Sequence, residues 1–353
     1  MSIFDADPFG GDLPGEAAGE RVDASATPAS DQQPRADGGR RDTASQDEET
    51  ADASPSVAGD ATRDGRQTSE ADAAPAAPRL GPSGRPYTAF PMPSPLDAHG
   101  PARILALCNQ KGGVGKTTST INLGAALAEF GRRVLLVDVD PQGALSVGLG
   151  VNPLQLDRTV YDLLMDPRVS AEDVILKTHV PEMDLVPSNI DLSAAEVQLV
   201  GEVAREQTLK RVLAGPAQDY DVILIDCQPS LGLLTVNALT AAHGVIVPLE
   251  CEFFSLRGVA LLIETIDKVR ARLNPQLELE GILATMYDSR TLHGREVLAR
   301  VVEAFGEKVF QTVINRTVRF PETTVAGEPI TTYAPRSAGA AAYRELAKEV
   351  LAR

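Results

Sequence analysis

The sequence predicts a doubly wound, mostly parallel α/β sheet with helices on both faces, formed by residues 101–353 and preceded by a disordered acidic tail, residues 1–100. Three observations carry that expectation. Short apolar runs alternate with longer stretches of helical periodicity, as in a parallel sheet whose strands are buried on both faces. The first such run, 104–108, passes through the glycine-rich loop Lys111-Gly112-Gly113-Val114-Gly115-Lys116-Thr117-Thr118 straight into a helical stretch. The composition also breaks near residue 100.

Each element follows in order. The first helix begins inside the glycine loop and stops at Gly131, where a glycine can take the left-handed backbone that ends a helix. The second strand is Val134–Val139, with Asp138 and Asp140 at its C-terminal end. A third apolar run, Met183–Val186, precedes a long helix read from Asp191 or Ser193 to about Leu213. Ser193 with Glu196 three residues later is the pattern of a capping box. Further strands are expected at 222–225, 245–247, 281–285 and 309–314, and further helices at 255–273, 291–304 and 338–351. About 250 residues without an internal repeat form one large domain.

The tail is set apart by charge and proline. It holds 18 acidic against 8 basic residues and 12 of the 25 prolines, with no lasting apolar periodicity. Such a segment buries too little surface to offset its ordering entropy. The whole chain is acidic, at net −16, which excludes DNA binding driven by bulk charge but leaves room for a local basic patch. The N-terminus lacks the basic and apolar regions of a secretory signal, and no apolar run is long enough to span a membrane. Three widely spaced cysteines, Cys108, Cys227 and Cys251, fit packing positions in a reduced cytosolic protein.

The glycine loop carries the chemistry. Gly112, Gly113 and Gly115 let backbone N–H groups converge on phosphate oxygens at the positive end of a helix. Lys116 is placed to reach the β- and γ-phosphates, and the Thr117 hydroxyl to hold Mg²⁺. Asp226, closing the apolar run at 222–225, has the Walker B pattern of a carboxylate that holds Mg²⁺. Asp138 and Asp140 lie where a doubly wound sheet binds its ligands, outside the C-terminal strand ends. A carboxylate there can coordinate the metal or position an attacking water. The loop also begins with a second lysine, Lys111, for which an ordinary P-loop has no use.

With that second lysine, Lys111–Thr118 resembles the deviant Walker A motif of the ParA/MinD ATPase superfamily. Residues 134–143 look like the family's second motif, and 223–232 like its Walker B strand and loop. Gln228 stands there where the family usually has proline. Segments 251–256 and 333–337 resemble later stretches of the chromosomal ParA/Soj branch. The likeness runs from about Arg103 to Arg353. It implies an ATPase using ATP and Mg²⁺, slow unless stimulated. Lys111 to Thr118 would cradle the nucleotide, with Lys111, Lys116 and Asp140 as the catalytic set and Thr117, Asp140 and Asp226 as the metal set. Lys111 would cross to a partner's nucleotide in an ATP-bound sandwich homodimer, and Asp140 would orient the attacking water. Asn315, in a segment that departs from the family's proline-arginine-asparagine, would border the adenine.

The resemblance further implies non-specific double-stranded DNA binding through Arg290 and Arg319, by salt-sensitive phosphate contacts. It also implies a ParB-type centromere-binding partner that stimulates hydrolysis, and a cytoplasmic, nucleoid-associated location. The alternative is a MinD-like or polar-positioning ATPase acting on a membrane or scaffold. The mixed charges of residues 343–353 fit a core-packed terminal helix better than a membrane-inserting one. An electron-transfer protein with a bridging iron–sulfur cluster and a nucleotide-gated adaptor without turnover are further alternatives. Phe4 and Phe9, in the acidic tail, form a candidate docking segment for a polar or scaffold partner.

Overall fold

The computed structural model describes residues 80–252 and 255–353. Expectations for residues 1–79, including the Phe4 and Phe9 segment, and for Phe253 and Phe254 lie outside the described residues. The strands are β1 (Arg103–Leu107), β2 (Val134–Val139), β3 (Leu176–Lys177), β4 (Met183–Val186), β5 (Val222–Cys227), β6 (Gly244–Glu250) and β7 (Glu278–Thr285). They form one sheet in the order β3-β4-β2-β5-β1-β6-β7, parallel throughout except for the β3–β4 pair. Every residue of β2 and β5 is buried, which is why both read as unbroken apolar runs capped by an acid.

The helices are α1 (Lys116–Glu129), α2 (Ala144–Gly148), α3 (Val160–Met165), α4 (Leu192–Gln198), α5 (Thr208–Leu213), α6 (Leu233–Ala241), α7 (Ser255–Arg272), α8 (Leu292–Phe305), α9 (Arg319–Ala326), α10 (Ile330–Tyr333) and α11 (Ala338–Ala352). One face of the sheet is covered by α1 and α11, through Leu123, Leu127, Tyr343 and Leu346. The other is covered by α5 to α8, through Leu209, Leu239, Leu262 and Val297. Cutting any of these leucines to alanine costs about 3 kcal/mol. At Gly124 a Cβ would meet Leu136 Cδ2 at 2.8 Å, so a glycine there lets α1 lie against β2. Burial of Ala340, Tyr343, Leu346, Ala347 and Val350 makes α11 a core helix, as its mixed charges suggest. Among the described residues no helix is long and apolar enough to cross a membrane.

Sheet order fixes where a ligand can sit. The chain steps from β1 past β5 to β2 and later returns across β1 to β6, so the direction of winding reverses beside β1. The crevice outside the C-terminal strand ends opens at that reversal.

Three sequence expectations are corrected. Residues 309–314 are not a full strand: they run beside β7 with an isolated bridge at Val309. The Glu349 carboxylate takes the amides of Gln311 and Thr312, at 2.8 and 3.0 Å, and so removes them from the ladder. The helix expected from Asp191 to Leu213 is broken into α4, two 3₁₀ turns and α5, with Ala204 in left-handed backbone at φ 56°. Ser193 is no cap, because the Glu196 carboxylate instead accepts from Gln228 Nε2 at 2.8 Å. Residues 80–100, read as tail from their prolines, are pinned to the core. Arg85 donates to Gly306 O at 3.0 Å and the Thr88 amide to Gln311 Oε1 at 2.9 Å. An extended, proline-rich strap needs no sheet partner when side chains satisfy it.

Candidate active site

The glycine loop is held at both ends before any ligand is considered. The Lys111 amide donates to Asn109 Oδ1 at 2.9 Å, and Asn109 Nδ2 donates to Pro248 O at 2.7 Å, fixing the loop's start to β6. The Thr285 hydroxyl donates to Val114 O at 2.8 Å, fixing its middle to β7. Gly113 and Gly115 lie at φ 75° and 85°, backbone that a side chain would strain. Gly115 is the N-cap of α1 and offers no side-chain cap. The first-turn N–H groups of α1 are therefore left for an anion.

The two lysines of the loop do different things. Lys116 is buried, and its Nζ folds back over the loop to donate to Lys111 O at 3.2 Å. Lys111 turns outward to the rim, where its Nζ lies 3.0 Å from Glu250 Oε2 and 2.7 Å from Glu252 Oε2. These two carboxylates, Glu252 first, hold its ammonium above the ordinary lysine range, against partial burial.

The acids sit on adjacent strands. In register, Leu107 of β1 pairs with Asp226 of β5, and Asp226 pairs with Asp138 of β2. The Thr117 hydroxyl donates to Asp226 Oδ2 at 2.6 Å, and Thr120 to Asp226 Oδ1 at 3.3 Å. Burial, then the neighbouring Asp138, pushes the Asp226 carboxyl up to about 8, with Thr117 and Lys116 pulling the other way. Burial likewise pushes Asp138 up to about 7. A buried carboxyl raised by burial and the hydroxyl bonded to it are oxygen donors that fit a hard divalent cation. Thr117 and Asp226 are the residues that would hold it. Asp138 is committed elsewhere: its Oδ2 accepts from the Ser146 amide and hydroxyl at 3.0 and 2.8 Å, anchoring α2.

Asp140 is partly exposed on the loop after β2. Its amide donates to Asp138 Oδ1 at 3.2 Å, its Oδ1 accepts from the Gln142 amide at 2.9 Å, and its charge is felt at Asp226. It is thus fixed near Thr117 and Asp226 without contacting them.

A pocket of about 210 Å³ opens beside the loop, lined by Gly115, Thr118, Met286, Asn315, Phe320 and Tyr343 among others. Asn315, one of its lining residues, is exposed. The segment that carries Asn315 lies against the loop after β7: the Tyr287 amide donates to Ile314 O at 3.0 Å and the Arg316 amide to Tyr287 O at 3.1 Å. Arg290 and Arg319 therefore stem from neighbouring segments at this edge. Both are exposed and paired locally, Arg290 to Asp288 at 2.8 Å and Arg319 to Glu322 at 3.5 Å.

Sequence reasoning missed Glu250, Glu252, Thr120 and Thr285. Glu250 and Thr285 end β6 and β7, the same positional signal that marked Asp226.

Comparison with known proteins follows the same lines. A family model described as an AAA domain matches residues 102–279. An uncharacterized protein of Mycobacterium tuberculosis is 68% identical over 274 residues, 78% of this chain and 86% of its own. The sporulation initiation inhibitor protein Soj of Bacillus subtilis is 49% identical over 250 residues, 71% of this chain and 98% of its own. A crystal structure described as cobyrinic acid a,c-diamide synthase from Mycobacterium smegmatis with bound ADP and magnesium superposes with a TM-score of 0.63. It is 46% identical, over 71% of this chain and 94% of that one.

Proposed function

The chain belongs to the ParA/Soj family of chromosome-partitioning ATPases, and on that premise we propose that it is a nucleotide-gated DNA clamp for chromosome or plasmid segregation. ATP with Mg²⁺ closes two copies face to face, and the closed dimer holds duplex DNA without regard to sequence. Hydrolysis, stimulated by a ParB-type partner, lets it go. The reading places the protein on the nucleoid.

One observation carries the proposal most directly. Lys111, unlike the buried Lys116, is partly exposed at the rim of the phosphate loop, held by two carboxylates of its own chain that a second copy's nucleotide would have to outcompete. In this scheme Lys116 neutralises the phosphates of its own nucleotide, and Lys111 adds charge to the partner's. Asp140 orients the attacking water, and Thr117 with Asp226 holds the magnesium, which offsets charge on the transferring phosphoryl group. Asn315 borders the base. Arg290 and Arg319 exchange their local carboxylates for DNA phosphates, a trade that added salt weakens.

The test is duplex DNA binding by the Asp140→Ala protein with ATP, with ADP and without nucleotide, at two salt concentrations. Binding with ATP alone, weaker at the higher salt, is the expected outcome. ATP uptake without DNA binding in any state would sink the clamp and favour a scaffold-positioning role. The likeness to a protein named for cobyrinic acid amidation makes a different ATP-driven reaction worth separating. Phosphate release without any cobyrinic acid, raised by DNA, is expected here.

A further inference from the structure

We infer that Glu250 and Glu252 are positioning residues that park Lys111 on its own protomer, so that the resting chain stays monomeric until nucleotide-driven closure pulls the lysine away. The inference rests on the clamp reading, since it concerns a lysine meant for a second copy. Lys111 Nζ is bonded to both carboxylates, at 3.0 and 2.7 Å, and an ammonium so held cannot also reach across an interface.

The way the charges are shared shows why the lysine can be released. Glu250, at the end of β6, has a side chain only 13% exposed, so stripping it of every cation would leave a buried charge unpaired. Its two oxygens, however, serve different partners. Oε2 takes Lys111, and Oε1 takes Arg316 Nη2 at 3.1 Å. When Lys111 leaves, Arg316 still balances Glu250. Glu252 is half exposed and returns to water at little cost. The latch is thus strong enough to bias the lysine inward and weak enough to open. Arg316 also lines the pocket beside the glycine loop, so a ring bound there lies next to the residue that shares Glu250 with the latch.

The experiment compares self-association of Asp140→Ala with that of Asp140→Ala carrying Glu252→Gln, by sedimentation over a range of protein concentrations with ATP and with ADP. Glu252 is exposed, and the substitution keeps its shape, so folding is not at stake. A positioning role predicts a gain. The ATP-dependent dimer should form at about threefold to tenfold lower concentration, because one exposed ion pair is released per protomer. Merely structural damage could only move the midpoint upward. Adding Glu250→Gln should extend the gain. A midpoint unchanged or raised by Glu252→Gln, while the parent dimerises with ATP, overturns the latch and leaves the clamp reading intact. A parent that stays monomeric with ATP overturns both.

Discussion

The two edges of the sheet both bury carboxylates, but only one edge balances them. At the N-terminal edge, Asp221 just before β5 accepts from the Arg133 and Gly100 amides at 2.7 and 2.9 Å and lies 2.8 Å from His99 Nδ1. Asp184 in β4 receives Lys177 Nζ and the Tyr220 hydroxyl, each at 2.6 Å. At the C-terminal edge, Asp226 and Asp138 stand side by side with hydroxyls and amides for hydrogen-bond partners, and burial drives both upward although the buried Lys116 pulls Asp226 the other way. A polar group left unbalanced in a low-dielectric interior is expensive. Where a protein retains two such groups on adjacent strands, the missing charge is supplied by what binds there. The balanced edge is architecture and the unbalanced edge is the candidate site.

The largest effect that could break this contrast comes from Asp226→Asn. Turnover of ATP should fall at least about a hundredfold, because the carboxylate proposed to hold magnesium is gone. Without magnesium or nucleotide the same protein should be more stable than the parent at neutral pH, melting about 3 °C higher, since the fold no longer has to keep a buried carboxyl protonated well above its unfolded value. Calorimetry of both proteins in chelator checks the sign. A lower melting temperature for Asp226→Asn would show that the acid is satisfied in the resting fold and would end the argument from imbalance.

A smaller effect, of opposite sign, is expected at Asp184. Asp184→Ala leaves the part-buried Tyr220 hydroxyl without its acceptor, at a cost of about 1 kcal/mol, while the exposed Lys177 ammonium returns to water. Denaturant unfolding measures it. Turnover per folded molecule should not change, as Asp184 lies at the edge away from the phosphate loop.

The unbalanced edge was also the more legible in sequence. Glycines at 112, 113 and 115 and the acids at the ends of the apolar runs 134–139 and 222–225 are written in consecutive residues, because a phosphate cradle and a metal ligand both need local backbone geometry. The bond from Ser146 to Asp138 is local, and the one from Thr117 to Asp226 follows once β1 and β5 lie side by side. What sequence did not reveal depends on contacts between distant segments. Glu349 breaks the strand read at 309–314 from more than thirty residues away. Glu196 leaves its helix cap for Gln228 in the Walker B loop, so a local capping pattern lost to a tertiary bond. Pairing of Lys111 with Glu250 joins the ends of two loops, and no spacing announces it. Composition alone placed the strap at 80–100 with the tail, because proline-rich chains look alike whether or not they are docked.

The finest test of the balanced edge is the pH dependence of Asp221. Burial works against its charge, yet the Arg133 amide, His99 and the Gly100 amide together hold the carboxyl below the ordinary aspartate range. A carboxyl depressed on folding adds stability that is fully present above its unfolded value of about 3.9 and is lost as pH falls through the lower folded value. Asp221→Asn should therefore cost about 1 kcal/mol at pH 7, with the gap between parent and variant narrowing as the pH drops below about 4. Urea unfolding at several pH values gives the curve. A gap that widens toward acid would mean that Asp221 is raised rather than lowered in the fold. The N-terminal edge would then be as poorly balanced as the C-terminal one, and burial without compensation would no longer distinguish the site from the scaffold.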